Sequence, residues 1–288
     1  MYKALAPYAI HVRVSNLQES IQAARTGGFQ GIEFGPDEIA GLIEAGGVEA
    51  VKQIFAEAGV RPAGWGLPVE WRASEETWRQ GLERLPRQAQ AAAAIGGTRC
   101  YTWVMPCSNE RALEENRRFH IERFRPIAQV LAENGCSLGL EFIGPKTLRE
   151  SQKYPFIYKM EDMLALGREI GPNVGVLLDC WHWYTSHGTL DAIRALRPEQ
   201  VVYVHVNDAP AGIPVDEQID NVRALPGETG VIDIAGFLQA LQSIGYDGPI
   251  TPEPFKDALK DLPSDEDRLH LAGQAMDKIF HQAGITPR

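Results

Sequence analysis

The sequence predicts an α/β protein folded as a closed (β/α)8 TIM barrel, a single domain over residues 1–288. Three observations predict it. Short β-rich runs alternate with longer amphipathic ones from one end of the chain to the other. Eight such runs can be counted, the number that closes a barrel. An open doubly wound sheet would follow its first strand with a glycine-rich phosphate turn, GxGxxG or GxxxxGK[ST], and neither occurs. Strict alternation requires a parallel sheet with right-handed crossovers, and no Ser/Gly linker or composition break divides the chain.

The strands are expected over residues 8–14, 31–35, 60–67, 98–104, 137–143, 174–180, 201–208 and 249–255. Helices lie between them. Asn16 caps the segment 17–26, which Gly27 and Gly28 end because glycine tolerates the left-handed conformation past a helix terminus. Ser74 opens a segment that runs through the alanine-rich stretch to Ile95 and stops at Gly96 and Gly97. The segment 109–134 stops at Gly135, with a kink expected at Pro126. Segments 161–170, 190–196, 234–244 and 265–282 complete the set, each followed within a few residues by Gly or Pro.

Composition narrows the function. With 44% hydrophobic and 23% charged residues a sizeable core can be buried. Lys and Arg number 28 against 38 Asp and Glu, a formal net charge of −10, which argues against a nucleic-acid partner and suits a small neutral substrate. No apolar run is long enough for a membrane span, and MYKALAPYAIHVRV lacks the pattern of a signal peptide, so a cytoplasmic protein without a membrane partner is expected. Cys100, Cys107, Cys136 and Cys180 form no CxxC pair and are read as reduced thiols.

In a βα-barrel the chemistry sits at the C-terminal strand ends, where the loops converge on one cavity. Polar residues interrupt the apolar strands there in the second half of the chain. Glu141 lies in SLGLEFIG, Asp179 in VGVLLDCWHW with His182 three residues on, His205 in VVYVHVND, and Glu253 between two prolines in PITPEPF. A charge buried singly among Leu, Val and Ile is strongly penalised, so such groups are paired, hydrogen-bonded or metal-bound. Each taken alone reads first as a satisfied structural group; four at one depth on successive strands point to a site. Three carboxylates and an imidazole make a hard, oxygen-rich set that suits Mn²⁺ best, then Mg²⁺ or Co²⁺, and does not suit a closed structural zinc site.

Glu141, the Asp179-Cys-Trp-His182 segment, His205 and Glu253 resemble the metal-binding set of the xylose isomerase-like TIM-barrel superfamily. The similar branch holds ketose 3-epimerases such as D-tagatose 3-epimerase, hydroxypyruvate isomerase and inosose dehydratase. The resemblance implies a divalent metal, usually Mn²⁺, on Glu141, Asp179, His205 and Glu253, with His182 as a substrate-binding histidine. Arg223, ahead of Pro226-Gly227, matches the family's arginine before a Pro-Gly turn. Relatives commonly pair or form tetramers, which implies a homo-oligomer. Two departures leave the substrate open: the loop from His205 to Arg223 is longer than in the 3-epimerases, and Thr147 stands where they carry a second substrate-binding glutamate.

The chemistry expected is that of a metal-dependent sugar isomerase or epimerase. A divalent ion chelating a carbonyl and its neighbouring hydroxyl acidifies the proton on the carbon beside the carbonyl and stabilises the enediolate, and Glu141 and Glu253 flank the sugar to remove and return it. If a β-hydroxyl leaves instead, the enzyme is a lyase or dehydratase acting on an oxo-sugar, a 3-oxo-glycoside or an inosose. His182 is read as a substrate contact or general acid, against a second reading in which it only bonds a backbone carbonyl. Lys146 is a candidate for stabilising an oxyanion and His11, on the expected first strand, for facing the cavity. Trp65, Trp103, Trp181 and Trp183 fall at strand ends, where flat rings suit the C–H surface of a sugar; of these Trp65, Trp103 and Trp181 are taken as substrate-binding. An endonuclease on the same barrel would need a multi-zinc cluster rich in histidine and a basic groove, against seven histidines and an acidic chain here. A sugar-binding barrel without catalysis would leave the aligned carboxylates and the D-x-x-H segment unexplained.

Overall fold

The computed structural model describes all 288 residues. Eight parallel strands close a barrel in sequential order. They are β1 (Tyr2–Leu5), β2 (Gly31–Glu33), β3 (Arg61–Gly66), β4 (Arg99–Val104), β5 (Ser137–Phe142), β6 (Val174–Asp179), β7 (Val201–Val206) and β8 (Pro249–Pro252). The last returns to the first through Tyr2↔Pro249 and Lys3↔Ile250. The expected fold class holds, and every strand but the first falls at its expected place, slightly shortened.

The first strand is corrected. It lies over Tyr2–Leu5 rather than 8–14, and Pro7–Ile10 is a 3-10 turn that ends at His11 in the left-handed region, φ 59°. Pro7 has no N–H to give a strand ladder and its fixed φ suits the first position of a turn. Ile10, Val12 and Val14 alternate with polar residues as a strand would, but this segment pairs with nothing in the sheet.

Around the barrel run α1 (Leu17–Thr26), α2 (Pro36–Gly46), α3 (Val48–Ala58), α4 (Glu75–Ala94), α5 (Leu113–Glu133), α6 (Lys146–Arg149), α7 (Met160–Ile170), α8 (Cys180–Thr185), α9 (Leu190–Arg194), α10 (Ile234–Ser243) and α11 (Asp265–Gln282). The caps read from sequence are made: Asn16 accepts from the Glu19 N–H at 2.9 Å and Ser74 from the Thr77 N–H at 3.2 Å. Pro126 lies inside α5, which continues past it. Helices α2 and α3 were not expected. Each buries a narrow stripe, Pro36, Ile39 and Ala40 in one and Val51 and Phe55 in the other, too few positions to stand out as a helical period.

Two apolar clusters result. The larger fills the layer between wall and helices. The smaller plugs the barrel with Tyr2, Ala4, Ala63, Tyr101, Leu177 and Tyr203. Tyr101 and Tyr203 stack with ring centroids 4.8 Å apart, and the Tyr203 hydroxyl meets Thr251 Oγ1 at 2.8 Å. Gly64 makes this possible, because a Cβ there would sit 2.5 Å from the Tyr203 ring. All four cysteines are buried and free. No helix is long and apolar enough to cross a membrane.

Candidate metal centre

Above that tyrosine floor the strand ends bring four side chains together. Strand register sets their depth: Glu141 stands opposite Trp103 on one side and Leu177 on the other, and Asp179 stands opposite His205. Glu253 follows β8, where its N–H still donates to the Val206 carbonyl at 3.1 Å. One ligand atom from each of Glu141, Asp179, His205 and Glu253 can be chosen so that all lie within 4.8 Å of one another, and all four residues are buried. The quartet read from sequence is thus a spatial cluster.

Its unmet contacts show what it fits. His205 Nδ1 lies 3.6 Å from Glu141 Oε1 and 3.3 Å from Glu253 Oε2, and both Nδ1 and Glu141 Oε1 lack a hydrogen-bond partner. Buried polar atoms are normally paired, so orphaned acceptors that converge on one point fit a cation held between them. Asp179 is aimed by the Trp181 N–H and by Asn207 Nδ2, 2.8 and 3.1 Å from its Oδ1. Such outer contacts are typical of carboxylates that hold a metal.

The electrostatics agree. Glu33, Glu141, Asp179, Asp220 and Glu253 set five carboxylates around the Arg223 guanidinium and the His205 imidazole, an excess of negative charge that a divalent ion would offset. Burial alone pushes the His205 imidazole down, but Glu253, Glu141 and Glu33 outweigh it and hold the group well above the usual histidine value. Burial raises the Glu141 carboxyl, with His205 and His182 only partly opposing. Burial acts the same way on Glu253, yet His205 and Arg223 prevail and lower it. The cage draws positive charge inward.

Arg223 is buried and tightly bound. Its Nη1 donates to Asp179 Oδ2 at 2.9 Å and Glu253 Oε2 at 3.1 Å, and its Nη2 to Asp220 Oδ1 at 3.0 Å. It organises the cage and lines the same cavity. His182 Nδ1 accepts from the Gly144 N–H at 3.2 Å, which leaves the proton on Nε2. That nitrogen stands 3.9 Å from both Glu141 Oε1 and Asp179 Oδ2. The cavity above the cage, about 360 Å³, is bounded by Trp103, Glu141, His182, Arg223, Glu253 and Phe255.

Four residues expected to touch substrate lie elsewhere. Trp65 faces the helices: with Gly64 turned to the barrel interior, the next side chain points outward, where its indole N–H donates to the Gly97 carbonyl at 2.9 Å. Trp181 is fully buried beneath Arg223, whose guanidinium carbon is 5.5 Å from its ring centroid. Lys146 Nζ turns to Asp216 Oδ2 at 3.5 Å, and that carboxylate also binds His187 at 2.8 Å. His11, off any strand, lies 3.9 Å from Asp257 in a separate surface pocket with Arg13 and Lys260. Trp183, also noted at a strand end, packs on Phe237. Trp103 does line the cavity, 42% exposed.

Sequence reasoning missed Glu33, at the end of β2, which lies 3.8 Å from His205 Nε2. The signal was available: a lone glutamate closes the apolar run GIEF just as Glu141 interrupts its own. Asp220 and Asn207, the partners of Arg223 and Asp179, were missed as well, and as loop residues they carried no periodic signal.

A closed parallel barrel whose C-terminal mouth carries a cluster that could hold a cation is the arrangement in which βα-barrels place their functional sites. The chain belongs to the xylose isomerase-like TIM barrel family, whose profile matches residues 21–279. A xylose isomerase domain protein from Alicyclobacillus acidocaldarius superposes with a TM-score of 0.85 at 30% identity, over 98% of this chain and 99% of that one. A 3-dehydroshikimate dehydratase of Pseudomonas putida is 26% identical over 254 residues, 86% of this chain and 37% of that protein. An inosose isomerase of Bacillus velezensis is 21% identical over 88% of each chain. The chain thus spans 37% of the length of the Pseudomonas dehydratases it matches and nearly the whole of the other two. A ketose 3-epimerase of Arthrobacter globiformis is also similar, 24% identical over 86% of this chain and 81% of that protein.

Proposed function

We propose that this chain is a sugar isomerase or epimerase that moves a proton at the carbon beside the carbonyl of a ketose or oxo-sugar, using a divalent cation held by Glu141, Asp179, His205 and Glu253. One observation carries the reading: Glu141 and Glu253 approach His205 Nδ1 from strand ends on either side of β6 and β7, and both line one cavity. Mn²⁺ is the ion the donor set favours, with Mg²⁺ or Co²⁺ next. When bound, the ion polarises the carbonyl and its neighbouring hydroxyl and so makes the intervening C–H more acidic.

The side chains supply the rest. A carboxylate oxygen of one glutamate takes the proton from carbon, and the other glutamate delivers one from the opposite face. Delivery to the same carbon inverts it; delivery to the adjacent carbon moves the carbonyl. His182 Nε2–H donates to a substrate oxygen, while the Gly144 N–H on Nδ1 keeps the ring in that tautomer. Arg223 holds Glu253 in place, and Trp103 covers the apolar face of the sugar.

A second reading, dehydration, is favoured by the Pseudomonas relatives, both named as dehydratases at 26% identity. It begins with the same proton removal and ends with loss of the β-hydroxyl as water, the glutamate that took the proton returning it to the departing oxygen while His182 Nε2–H donates a hydrogen bond there. Incubation of the Mn²⁺-loaded protein in D₂O with ketoses, inososes and 3-oxo-glucosides separates the two. Deuterium on the α-carbon of recovered sugar or its stereoisomer supports isomerase or epimerase action, and an unsaturated ketone absorbing in the ultraviolet supports elimination. Neither product from any carbonyl sugar would sink both.

A further inference from the structure

We infer that Glu33 is a positioning residue for the cation cage: its carboxylate accepts the Nε2 proton of His205 and so presents the Nδ1 lone pair to the ion. This rests on the divalent-ion reading above. The His205 ring has one nitrogen toward each set of carboxylates. Nδ1 faces Glu141 and Glu253, at 3.6 and 3.3 Å, and Nε2 faces Glu33 Oε1 at 3.8 Å. Nε2 and Glu33 Oε1 are both buried without a hydrogen-bond partner, and Glu33 approaches the ring at Nε2 whereas Glu141 and Glu253 approach it at Nδ1. Two orphaned atoms of complementary type, facing each other across the barrel from β2 to β7, are the natural partners of one another.

A neutral imidazole carries one donor and one acceptor, and only the unprotonated nitrogen can bind a metal. The proton must therefore reside on Nε2 when Nδ1 is the ligand. The tyrosine floor leaves the ring little freedom to choose otherwise. Tyr101 and Tyr203 meet it edge-on, with centroids 5.8 and 5.5 Å away and interplanar angles of 81° and 89°. Tilting the ring would strike one of them, so the selection falls to whatever accepts at Nε2. A shift of about 1 Å in the Glu33 side chain brings Oε1 to an ordinary hydrogen-bond length. Glu33 is not one of the four cage residues, so it acts through His205 rather than on the ion itself.

The test is calorimetric titration of Mn²⁺ into metal-free wild type, Glu33→Gln and Glu33→Ala, together with NMR of the ¹⁵N-histidine-labelled, Zn²⁺-loaded proteins. Wild type is expected to show a slowly exchanging His205 Nε2–H, assigned by its loss in His205→Gln. In Glu33→Ala that proton exchanges fast and the dissociation constant rises about 10- to 100-fold; Glu33→Gln, which keeps a carbonyl acceptor, falls between. If Glu33→Ala does not fold, Glu33→Gln supplies the comparison. An unchanged His205 Nε2–H signal in the folded variant overturns the inference whatever the affinity does, because a charge acting only through space would not set the proton's exchange. A wild type that binds no divalent ion overturns the cage reading and this inference with it.

Discussion

Nη1 of Arg223 donates twice to Glu253, to Oε2 at 3.1 Å and to the backbone carbonyl oxygen at 3.2 Å. Glu253 has just left the register of β8, and this double contact ties both its main chain and its side chain to the cage. Arg223→Lys keeps the charge but loses the planar fork that reaches Asp179, Glu253 and Asp220 together. A catalytic carboxylate displaced by about 1 Å lowers the rate about 100-fold. Steady-state kinetics of the lysine variant, on the substrate found by deuterium exchange, should show a loss of that order in kcat/KM with an unchanged far-ultraviolet circular dichroism spectrum. Full activity would mean that Glu253 holds its place without Arg223.

The crowding of carboxylates around His205 predicts a stability that depends on the ion. Metal-free protein leaves five acidic groups around the Arg223 guanidinium and the His205 imidazole, and an ion that binds only the folded state adds about 2.7 kcal/mol at 100 times its dissociation constant. For a chain of this size the Tm should rise by about 5 °C or more. Differential scanning calorimetry with and without Mn²⁺, reversed by EDTA, reads this directly. Identical melting curves with Mn²⁺, Mg²⁺ and Co²⁺ would show that the cluster holds no ion.

What was legible in the sequence follows from contrast. The barrel was read from the alternation of eight β-rich and amphipathic runs, and the cluster from Glu141, Asp179, His205 and Glu253, each a titratable group in an otherwise apolar strand. Arg223 lies in an irregular loop and was visible only through family resemblance. Glu33 closes its own apolar run in the same way, but on a strand of only three residues the contrast is weaker and was passed over. The first strand was misplaced because alternation also occurs in the extended segment after Ile10, while Lys3 interrupts the true strand; Lys3 is buried because Asp277 pairs with it at 2.5 Å. The facing of Trp65 depended on a register shift near Ile32 and Glu33, where β2 meets Gly64 of β3, and a period of two does not foresee a shift.

His120, on α5, predicts a pH dependence remote from the cage. Burial lowers its value to about 4, only partly offset by its bond to the Asn116 carbonyl, with Nδ1 at 2.7 Å and Phe156 stacked 4.8 Å away. In the unfolded chain it titrates near 6.5, so between about 6.5 and 4 the unfolded state binds more protons than the folded one. Stability is therefore unaffected by this group above pH 6.5 and falls as the pH drops through that window, by about 3 kcal/mol in all. Urea unfolding of wild type and His120→Phe between pH 4.5 and 7.5 isolates the effect, since other groups cancel in the difference. Parallel losses in the two proteins would show that His120 does not titrate this way.

Trp65 and Trp103 were grouped by their place at strand ends, and the structure puts one in the outer layer and the other on the cavity. Trp65 is fully buried in the outer layer, and Trp65→Ala removes a large side chain from a packed region and strands the Gly97 carbonyl. That loss is about 3–5 kcal/mol, or about 5–8 °C in Tm, with KM unchanged in whatever protein remains folded. Trp103 stands opposite Glu141 with one face open to the cavity and the Arg72 guanidinium carbon 3.8 Å from its ring centroid. Trp103→Ala should leave Tm nearly unchanged and raise KM about 5-fold, as expected for losing an aromatic platform worth about 1 kcal/mol. Melting and kinetics on the two variants give a crossed pattern if the assignment is right. A fall in Tm for Trp103→Ala with KM preserved would move that ring from the substrate cavity to the core.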